Sequence, residues 1–343
     1  MCVYFRHRSS VQVVVGAYVD DFFVTATEES AVDAFFNELA EFSVKNLGRA
    51  TKFLDMRVKY DDETGYDLDQ ETTIQELLKV HGLEKAHGVR TPIGVECNEA
   101  QDPGCEKLPV SGGDTVPTIR KFQSLVGSLL WVARCTRPDI AFAVHKASRR
   151  THAPTAHDWK ITKRVFRYLG GTKELRFRID GDKKLGGALE VVGCSDADYA
   201  ADKEDRKSVT GGLATIDEMP VSWTCKKQGG VLLSTMEAEY TEVSVMATEL
   251  LGVRGLLRKL NVILKVPMAL RVDNLAALKQ LDGEGVSAKA KHLDVRIKFV
   301  GDYTKRGILK PEYLEGEKIP ADLLTKALET PRLWTLRSKI GLH

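Results

Sequence analysis

The sequence predicts an α/β protein whose C-terminal part is one domain built on a mixed β-sheet. Three observations predict this class. Strand-length hydrophobic runs alternate with helix-length segments from about residue 187 onward, helices with apolar stripes precede them, and two β-branched runs lie near the N-terminus. With 343 residues, of which 43% are hydrophobic, the chain can bury more than one core.

The N-terminal elements begin with a hairpin. Val11–Val15 and Phe22–Thr25 are rich in β-branched and aromatic residues, and they flank Tyr18-Val19-Asp20-Asp21. We therefore expect two strands with Asp20 and Asp21 at their tip. The pattern beyond them predicts, in order, a helix over Ser30–Leu39, strands over Phe53–Tyr60 and Tyr66–Leu68, and a short helix over Ile74–Val80.

The middle of the chain is predicted to be a linker followed by helices. Residues 94–118 are polar, rich in Gly and Pro and without periodicity, which indicates a loop. Apolar stripes then predict helices over Arg120–Ala133, Pro138–Ser148 and His157–Leu169, and Gly170-Gly171 is a typical helix end.

From residue 187 the pattern predicts the order βββ-α-β-α-α-β-α. The strands are expected at Gly187–Ser195, Ser208–Ile216, Met219–Lys226, Ala269–Asp273 and Leu309–Leu314. The helices are expected at Ser234–Leu260, Leu275–Leu281, His292–Lys305 and from Pro320 onward.

The net charge of +2 conceals an uneven distribution. Residues 1–119 hold 11 Lys and Arg against 21 Asp and Glu, whereas residues 120–173 hold 12 against 2. Such a basic block is typical of a surface that binds a polyanion, although a solvated helix face would give the same composition. The candidate phosphate-binding residues in the block are Arg149, Arg150, Lys163 and Arg164. A second basic stretch, residues 287–310, adds Lys291 and Arg296.

The cysteines and the hydrophobic runs limit the compartment. The six cysteines are scattered and form no CxxC pair, so the sequence favours neither a zinc site nor a compact disulfide framework. We therefore expect an intracellular, reducing location, either a cytoplasmic particle or the nucleus. The longest apolar run, about Val11–Val19, is too short to span a bilayer and is followed directly by Asp20-Asp21, so we expect no membrane partner and no secretory signal.

Acidic residues at strand ends and helix starts of the C-terminal domain are candidate site residues. Each has a structural explanation when taken alone, because these positions favour acids for capping and helix-dipole reasons. The four candidates are Asp196 and Asp273 at the ends of two predicted strands, Glu239 early in the long helix, and Asp322 at the start of the last helix.

Two of these candidates have a neighbouring rival, Asp198 for Asp196 and Glu237 for Glu239. Ser234 and Glu237 form the S-x-x-E pattern of a capping box, which would use the Glu237 side chain on the backbone. That leaves Glu239 as the candidate site residue on this helix.

Several strings of residues resemble one known family. In the C-terminal domain they are Ser222-Trp223 with Lys226-Lys227-Gln228, Glu237-Ala238-Glu239-Tyr240, Lys291-His292-Leu293-Asp294-Val295-Arg296 and Ala321-Asp322-Leu323-Leu324-Thr325-Lys326. Upstream they are Tyr18-Val19-Asp20-Asp21, Ser124–Trp131, Thr136–Ala141 and Arg167-Tyr168-Leu169 with Gly171-Thr172. Nearly the whole chain thus resembles the C-terminal part of a Copia-type LTR retrotransposon Pol polyprotein, where the end of a reverse transcriptase is joined to a ribonuclease H.

The resemblance implies a ribonuclease H-like mixed sheet with flanking helices, preceded by a partial reverse-transcriptase palm and thumb and a helical connection. The implied domains are a partial palm over 1–60, a thumb-like segment and linker over 61–118, the helical connection over 119–186 and the ribonuclease H-like domain over 187–343.

The resemblance also implies a metal-dependent nuclease. In that family Asp196, Glu239, Asp273 and Asp322 would together bind two Mg²⁺ ions and cut the RNA strand of an RNA–DNA hybrid. The family motif favours Asp196 over Asp198 and Glu239 over Glu237. The loop before Asp322 lacks the histidine that many ribonucleases H have there, so we expect slow turnover or partial substitution by Glu315 or Glu317.

The polymerase part departs from the family. Asp20 and Asp21 match its YxDD hairpin, but a third metal-binding aspartate belongs well upstream and only 19 residues precede Asp20. We therefore expect a truncated polymerase site, vestigial at Asp20 and Asp21, without activity on its own. The alternative function is a non-catalytic nucleic-acid-binding remnant, or a subunit that completes a reverse transcriptase with the missing N-terminal part of the polyprotein as its partner.

Overall fold

The computed structural model describes residues 2–61, 63, 65–94, 105–113, 115–179, 187–281 and 291–343. Its strands are β1 (Cys2–Arg8), β2 (Val11–Tyr18), β3 (Asp21–Ala26), β4 (Lys52–Phe53), β5 (Met56–Asp61), β6 (Gly65–Asp69), β7 (Phe177–Ile179), β8 (Val191–Asp198), β9 (Val209–Ile216), β10 (Met219–Lys227), β11 (Met268–Val272) and β12 (Leu309–Tyr313). Its helices are α1 (Glu29–Glu38), α2 (Glu71–Val80), α3 (Ile119–Cys135), α4 (Ala141–Ser148), α5 (Ala156–Gly170), α6 (Thr235–Lys259), α7 (Leu275–Leu281), α8 (Lys291–Lys305) and α9 (Thr330–Lys339). The chain divides into two compact units, residues 1–59 and residues 60–343.

The first unit contains an antiparallel sheet in the order β1-β2-β3. Val13 and Val15 of the central strand are buried, and α1 packs against β2 and β3. Tyr18 pairs with Asp21, so the turn consists of Val19 and Asp20. Val19 has a φ of +51°, a conformation that a β-branched residue rarely adopts. The predicted hairpin with the aspartates at its tip is confirmed.

The second unit is built on a five-stranded sheet in the order β10-β9-β8-β11-β12. β8, β9 and β10 are antiparallel neighbours, whereas β11 runs parallel to both β8 and β12. Three antiparallel strands followed by two strands parallel to the first make the sheet ribonuclease H-like. The predicted fold class is confirmed, including the order of strands and helices from β8 to β12.

The two largest hydrophobic cores among the described residues lie in this unit. The long helix α6 packs on one face of the sheet, where Met246 and Leu250 join Leu270 and Val272 of β11 in one core. The second core lies among α2 to α5, and it also contains Leu213 of the sheet. The helices that precede the C-terminal domain therefore share a core with it. The division of the chain into four domains stays a prediction.

The end of the chain differs from the prediction. Instead of one helix from Pro320 onward, the chain forms a 3₁₀ turn over Pro320–Leu324 and then a separate helix, α9. Proline at the first position of the turn and proline at the start of α9 both suit short helical starts. Asp322 consequently lies in a compact turn. The predicted linker falls partly on residues 95–104 and 114, which lie outside the described residues.

The α3–α4 corner is fixed by a fully buried ion pair. The Arg137 guanidinium donates two hydrogen bonds to the Asp139 carboxylate, at 2.9 and 2.8 Å, and both side chains are fully buried. The Tyr168 hydroxyl donates a third, at 2.6 Å. Because each charge is paired and hydrogen-bonded, burial of this pair is tolerated. Among the helices that the structure describes, none is long and apolar enough to cross a membrane.

Candidate metal centre

Asp196, predicted at the end of a strand, lies two residues before the end of the central strand of the sheet, β8. β8 continues to Asp198, and Asp196 pairs with Gly211 of β9. A Cβ atom on Gly211 would lie 2.5 Å from the Thr325 side chain, so only glycine lets the residue after the 3₁₀ turn come this close. The Thr325 hydroxyl donates a hydrogen bond to Oδ2 of Asp196. Asp196 is therefore buried and anchored.

Glu239 is positioned by the N-terminus of α6. Ser234 is the N-cap residue, and its hydroxyl accepts a hydrogen bond from the Glu237 backbone N–H at 3.2 Å. The Glu237 side chain turns back and accepts a bond from the Leu233 backbone N–H at 2.7 Å. The predicted capping role of Glu237 is confirmed, although its partner is Leu233 and not Ser234 as a capping box requires. Glu239, half a turn further, is buried.

Asp273 follows the last residue of β11. The parallel register pairs Arg271 with Cys194, and two residues further it sets Asp273 beside Asp196. Asp196, Glu239 and Asp273 each offer a carboxylate oxygen, and these oxygens lie within 4.8 Å of one another. The structure thus brings together three of the four predicted acids, each from a different element.

Burial, together with repulsion from neighbouring carboxylates, raises the pKa of all three carboxyl groups. Burial has the largest effect on the pKa of Glu239, Asp196 and Asp273 add to it, and that pKa rises to about 8. The pKa values of Asp196 and Asp273 are also raised, mainly by burial. Among the described residues, the buried Oε2 atom of Glu239 has no hydrogen-bond partner. Carboxylate oxygens are hard ligands, and a buried cluster of them suits a divalent cation such as Mg²⁺.

Asp322, the fourth predicted acid, is held by basic residues. Its carboxylate accepts a bond from Lys326 at 2.6 Å and another from Arg332 at 2.8 Å. Lys326 also donates to Oδ1 of Asp196 at 3.1 Å, so its ammonium group joins Asp196 to Asp322. Burial alone would lower the pKa of Lys326, but Asp196 and Asp322 raise it. Lys326 is therefore a positively charged part of the site that the sequence prediction did not include.

Glu242 is a second residue that the prediction did not include. It lies one turn beyond Glu239 on α6 and is completely buried, and neither of its carboxyl oxygens has a hydrogen-bond partner among the described residues. A Cβ atom on Gly212 would lie 2.9 Å from its Oε1 atom, so this glycine makes room for it. Burial, Glu239 and Asp196 raise the pKa of Glu242 well above its ordinary value. The spacing of three residues from Glu239 was the signal in the sequence.

Several of the predicted phosphate-binding residues have partners within the chain. Arg149 forms an ion pair with Asp202 and Arg150 with Glu204, both in the loop after β8. Arg164 donates a hydrogen bond to the Thr91 carbonyl at 3.3 Å, and Arg296 donates one to the Thr241 hydroxyl at 2.5 Å. Lys163 is exposed on α5, and the side chain of Lys291 lies outside the described residues.

The remaining predicted acids are not among the three described carboxylates, Asp196, Glu239 and Asp273, whose oxygens converge within 4.8 Å. Asp198, the rival of Asp196, ends β8, and its pKa is raised, mainly by burial. Asp20 and Asp21 are exposed at the tip of the N-terminal hairpin. Glu315, one of the two residues predicted as a partial substitute for the histidine, forms a surface ion pair with Lys318 at 2.9 Å.

The strand order of the sheet, with three acidic residues converging on it, defines the class of protein as a ribonuclease H-like α/β domain. Residues 1–95 match the family described as reverse transcriptase (RNA-dependent DNA polymerase). Over 338 residues, or 98% of its length, the chain is 32% identical to the retrovirus-related Pol polyprotein from transposon RE1 of Arabidopsis thaliana. Over its full length it is 30% identical to the corresponding polyprotein from transposon TNT 1-94 of Nicotiana tabacum. The chain belongs to the Pol polyproteins of Copia-type retrotransposons.

The chain spans 22% of the RE1 polyprotein and 25% of the TNT 1-94 polyprotein. Among solved structures, a ribonuclease H1 isolated from compost by a metagenomic approach, LC11-RNase H1, is similar over 40% of this chain and 92% of its own. Its sequence identity is 17% and the TM-score is 0.32. A TM-score this low adds nothing to what the strand order already establishes.

Proposed function

We propose that this chain is a Mg²⁺-dependent ribonuclease H that cleaves the RNA strand of RNA–DNA hybrids. One observation carries the proposal. Carboxylate oxygens from a central strand, a neighbouring parallel strand and the start of the long helix converge to within 4.8 Å. Acids so close together are costly without a cation, and hard oxygen ligands are those that Mg²⁺ prefers.

The chain's own residues prepare this centre. Asp196, Glu239 and Asp273 would hold divalent ions, with Asp322 as a fourth ligand if the basic residues on it give way. Two divalent ions in such a set supply the charge stabilisation that hydrolysis of a phosphodiester requires. The Thr325 hydroxyl fixes the direction of the Asp196 carboxylate, and the Glu237 cap fixes the start of the helix that bears Glu239.

The proposed substrate is held through its phosphates. Lys163, Arg164 and Arg296 would contact the hybrid backbone, and Arg149 and Arg150 could do so only by exchanging Asp202 and Glu204 for phosphate. The 2′-hydroxyls, which line the shallow minor groove, would mark the strand to be cut.

The direct test is cleavage of a hybrid whose RNA strand is end-labelled, with Mg²⁺ or with EDTA. We expect Mg²⁺-dependent cleavage that Asp196→Asn and Glu239→Gln each abolish. Glu237→Gln is the matched control on the same helix, and it should retain cleavage and most of the stability, because the amide oxygen of glutamine can still accept the bond from the Leu233 backbone N–H. Cleavage by the Asp196→Asn variant at the original rate would rule out the proposal.

Salt dependence tests the phosphate contacts. Each phosphate contact contributes roughly one unit to the slope of log affinity against log salt concentration. Replacing Lys163 and Arg164 by alanine should make the slope shallower, whereas replacing Arg149 and Arg150 should mainly reduce stability because Asp202 and Glu204 each lose one basic partner. Slopes unchanged in both double variants would show that the basic block is solvated surface.

For the polymerase part, we propose that Asp20 and Asp21 do not support primer extension by this chain alone. The boundaries 1–60, 61–118, 119–186 and 187–343 are our proposed domains. An N-terminal part of the same polyprotein would then be the partner that supplies the rest of a polymerase site. An intracellular particle or the nucleus is the proposed place of action, which suits the free thiols of Cys2, Cys105, Cys194 and Cys225.

A further inference from the structure

The ammonium group of Lys326 lies between Asp196, which belongs to the candidate metal centre, and Asp322, the fourth predicted acid. Its Nζ atom is 3.1 Å from Oδ1 of Asp196 and 2.6 Å from Oδ1 of Asp322. Asp322 is four residues before Lys326, and Asp196 is on the central strand. The lysine therefore occupies the position that a cation shared by these two carboxylates would take.

Each of the two acids beside Lys326 has a second partner that holds it in place. Arg332 binds the other oxygen of Asp322 at 2.8 Å, and the Thr325 hydroxyl binds the other oxygen of Asp196. Both carboxylates would thus keep an anchor if the lysine moved away. The Lys326 side chain is 38% exposed, so its ammonium group has solvent to enter on its flexible four-carbon stem.

We propose that Lys326 is the resident counter-ion of the Asp196–Asp322 pair, and that a divalent ion shared by these two acids binds only when the lysine swings out. This inference rests on the proposed metal centre. It makes the two ions unequal. The first ion would bind Asp196, Glu239 and Asp273, of which Asp196 alone has a contact with Lys326 in the structure described, whereas the second would take the place of the ammonium group between Asp196 and Asp322.

The test is a titration of the metal-free full chain with Mn²⁺. Binding is measured by calorimetry and by the electron paramagnetic resonance signal of the free ion. We expect one tighter and one weaker ion in the unmodified protein. Lys326→Gln keeps a hydrogen-bond donor but removes the charge, and it should tighten the weaker ion by about tenfold or more, since a like charge at this range is strongly repulsive. Lys326→Arg keeps the charge and should leave the weaker ion weak.

The matched control is Lys318→Gln. It removes the same charge from the neighbouring loop, where Lys318 pairs only with the surface residue Glu315 in the contacts described. This variant should change the weaker affinity by less than about twofold, because exposed charges are screened. Asp322→Asn should remove the weaker ion and retain the tighter one. Thermal unfolding in EDTA verifies that each variant is folded.

The outcomes separate this inference from the function on which it rests. If the tighter ion binds and Lys326→Gln leaves the weaker one unchanged or weakens it, the counter-ion role is wrong and the metal centre stands. If Lys318→Gln tightens the weaker ion as much as Lys326→Gln does, the effect is general electrostatics and the inference also fails. If the unmodified chain binds no Mn²⁺, both the metal centre and the role of Lys326 are refuted.

Discussion

Replacing Glu242 by methionine is expected to make the protein more stable. The carboxyl group is completely buried, and neither of its oxygens has a hydrogen-bond partner among the described residues. A buried polar group without a partner costs about 1–3 kcal/mol. Methionine has nearly the same length and a similar helix propensity, so the substitution removes this cost without opening a large cavity.

The gain should depend on pH, and the sign follows from the pKa of Glu242. Burial, Glu239 and Asp196 raise this pKa well above the ordinary value of 4.5. A raised pKa in the folded state means that stability is fully present below pH 4.5 and is lost as the pH rises toward the folded value. Methionine does not titrate, so its advantage over glutamate should be larger at pH 8 than at pH 4.5.

The assay is urea unfolding in EDTA, which keeps metal binding out of the comparison. At pH 7 we expect the free energy of unfolding of Glu242→Met to exceed that of the unmodified chain by about 1–3 kcal/mol. The control is Glu249→Met on the same helix, where the glutamate is exposed and accepts a bond from Ser222 at 2.6 Å. It should change stability by no more than about 0.5 kcal/mol. A loss of stability in Glu242→Met, or an equal gain in both variants, would refute the reasoning.

Three further predictions concern other parts of the chain. His145 is largely buried, and burial, followed by the charge of Arg149, lowers its pKa to about 4. The stability of the protein should therefore be full above pH 6.5 and should fall by about 3 kcal/mol as the pH drops toward 4. In urea unfolding between pH 4 and 7, His145→Gln should make stability less dependent on pH, and an unchanged curve would contradict this. Asp139→Asn leaves the buried Arg137 without its counter-charge and should cost about 3–5 kcal/mol of unfolding free energy, so a loss below 1 kcal/mol would show that the pair is dispensable. Replacing Asp20 and Asp21 together by asparagine should leave hybrid cleavage unchanged, whereas primer extension by the unmodified chain that this change abolishes would overturn the proposal of an inactive polymerase part.

The sequence was sufficient for the main elements of the fold because their periodicity is strong. β11 alternates between buried and half-buried positions, and β8 and β9 are buried along most of their length. The strands β1, β4 and β7 were not predicted. β1 is mostly exposed, and the other two have only 2 and 3 residues, so they leave no apolar pattern to detect.

The candidate site was predictable only where a residue's position along its own element decides its role. Asp273 follows a parallel strand beside β8, so its approach to Asp196 follows from sheet topology once the strand order is known. The position of Lys326 does not follow from topology. It depends on how the 3₁₀ turn packs against Gly211, which is a tertiary contact between residues more than a hundred positions apart.

The basic block shows why the charge of a segment is not the charge of a surface. Arg149 and Arg150 lie in the stretch with the greatest excess of positive charge, yet their partners are Asp202 and Glu204, which belong to a different stretch. Asp202 also accepts a bond from Lys227 at 2.5 Å, so one buried carboxylate is shared by two cations. A phosphate can bind there only if it replaces a carboxylate that is already desolvated and in place. Binding of a polyanion is therefore expected to depend more on Lys160 and Lys163, the exposed lysines of α5, than on Arg149 and Arg150.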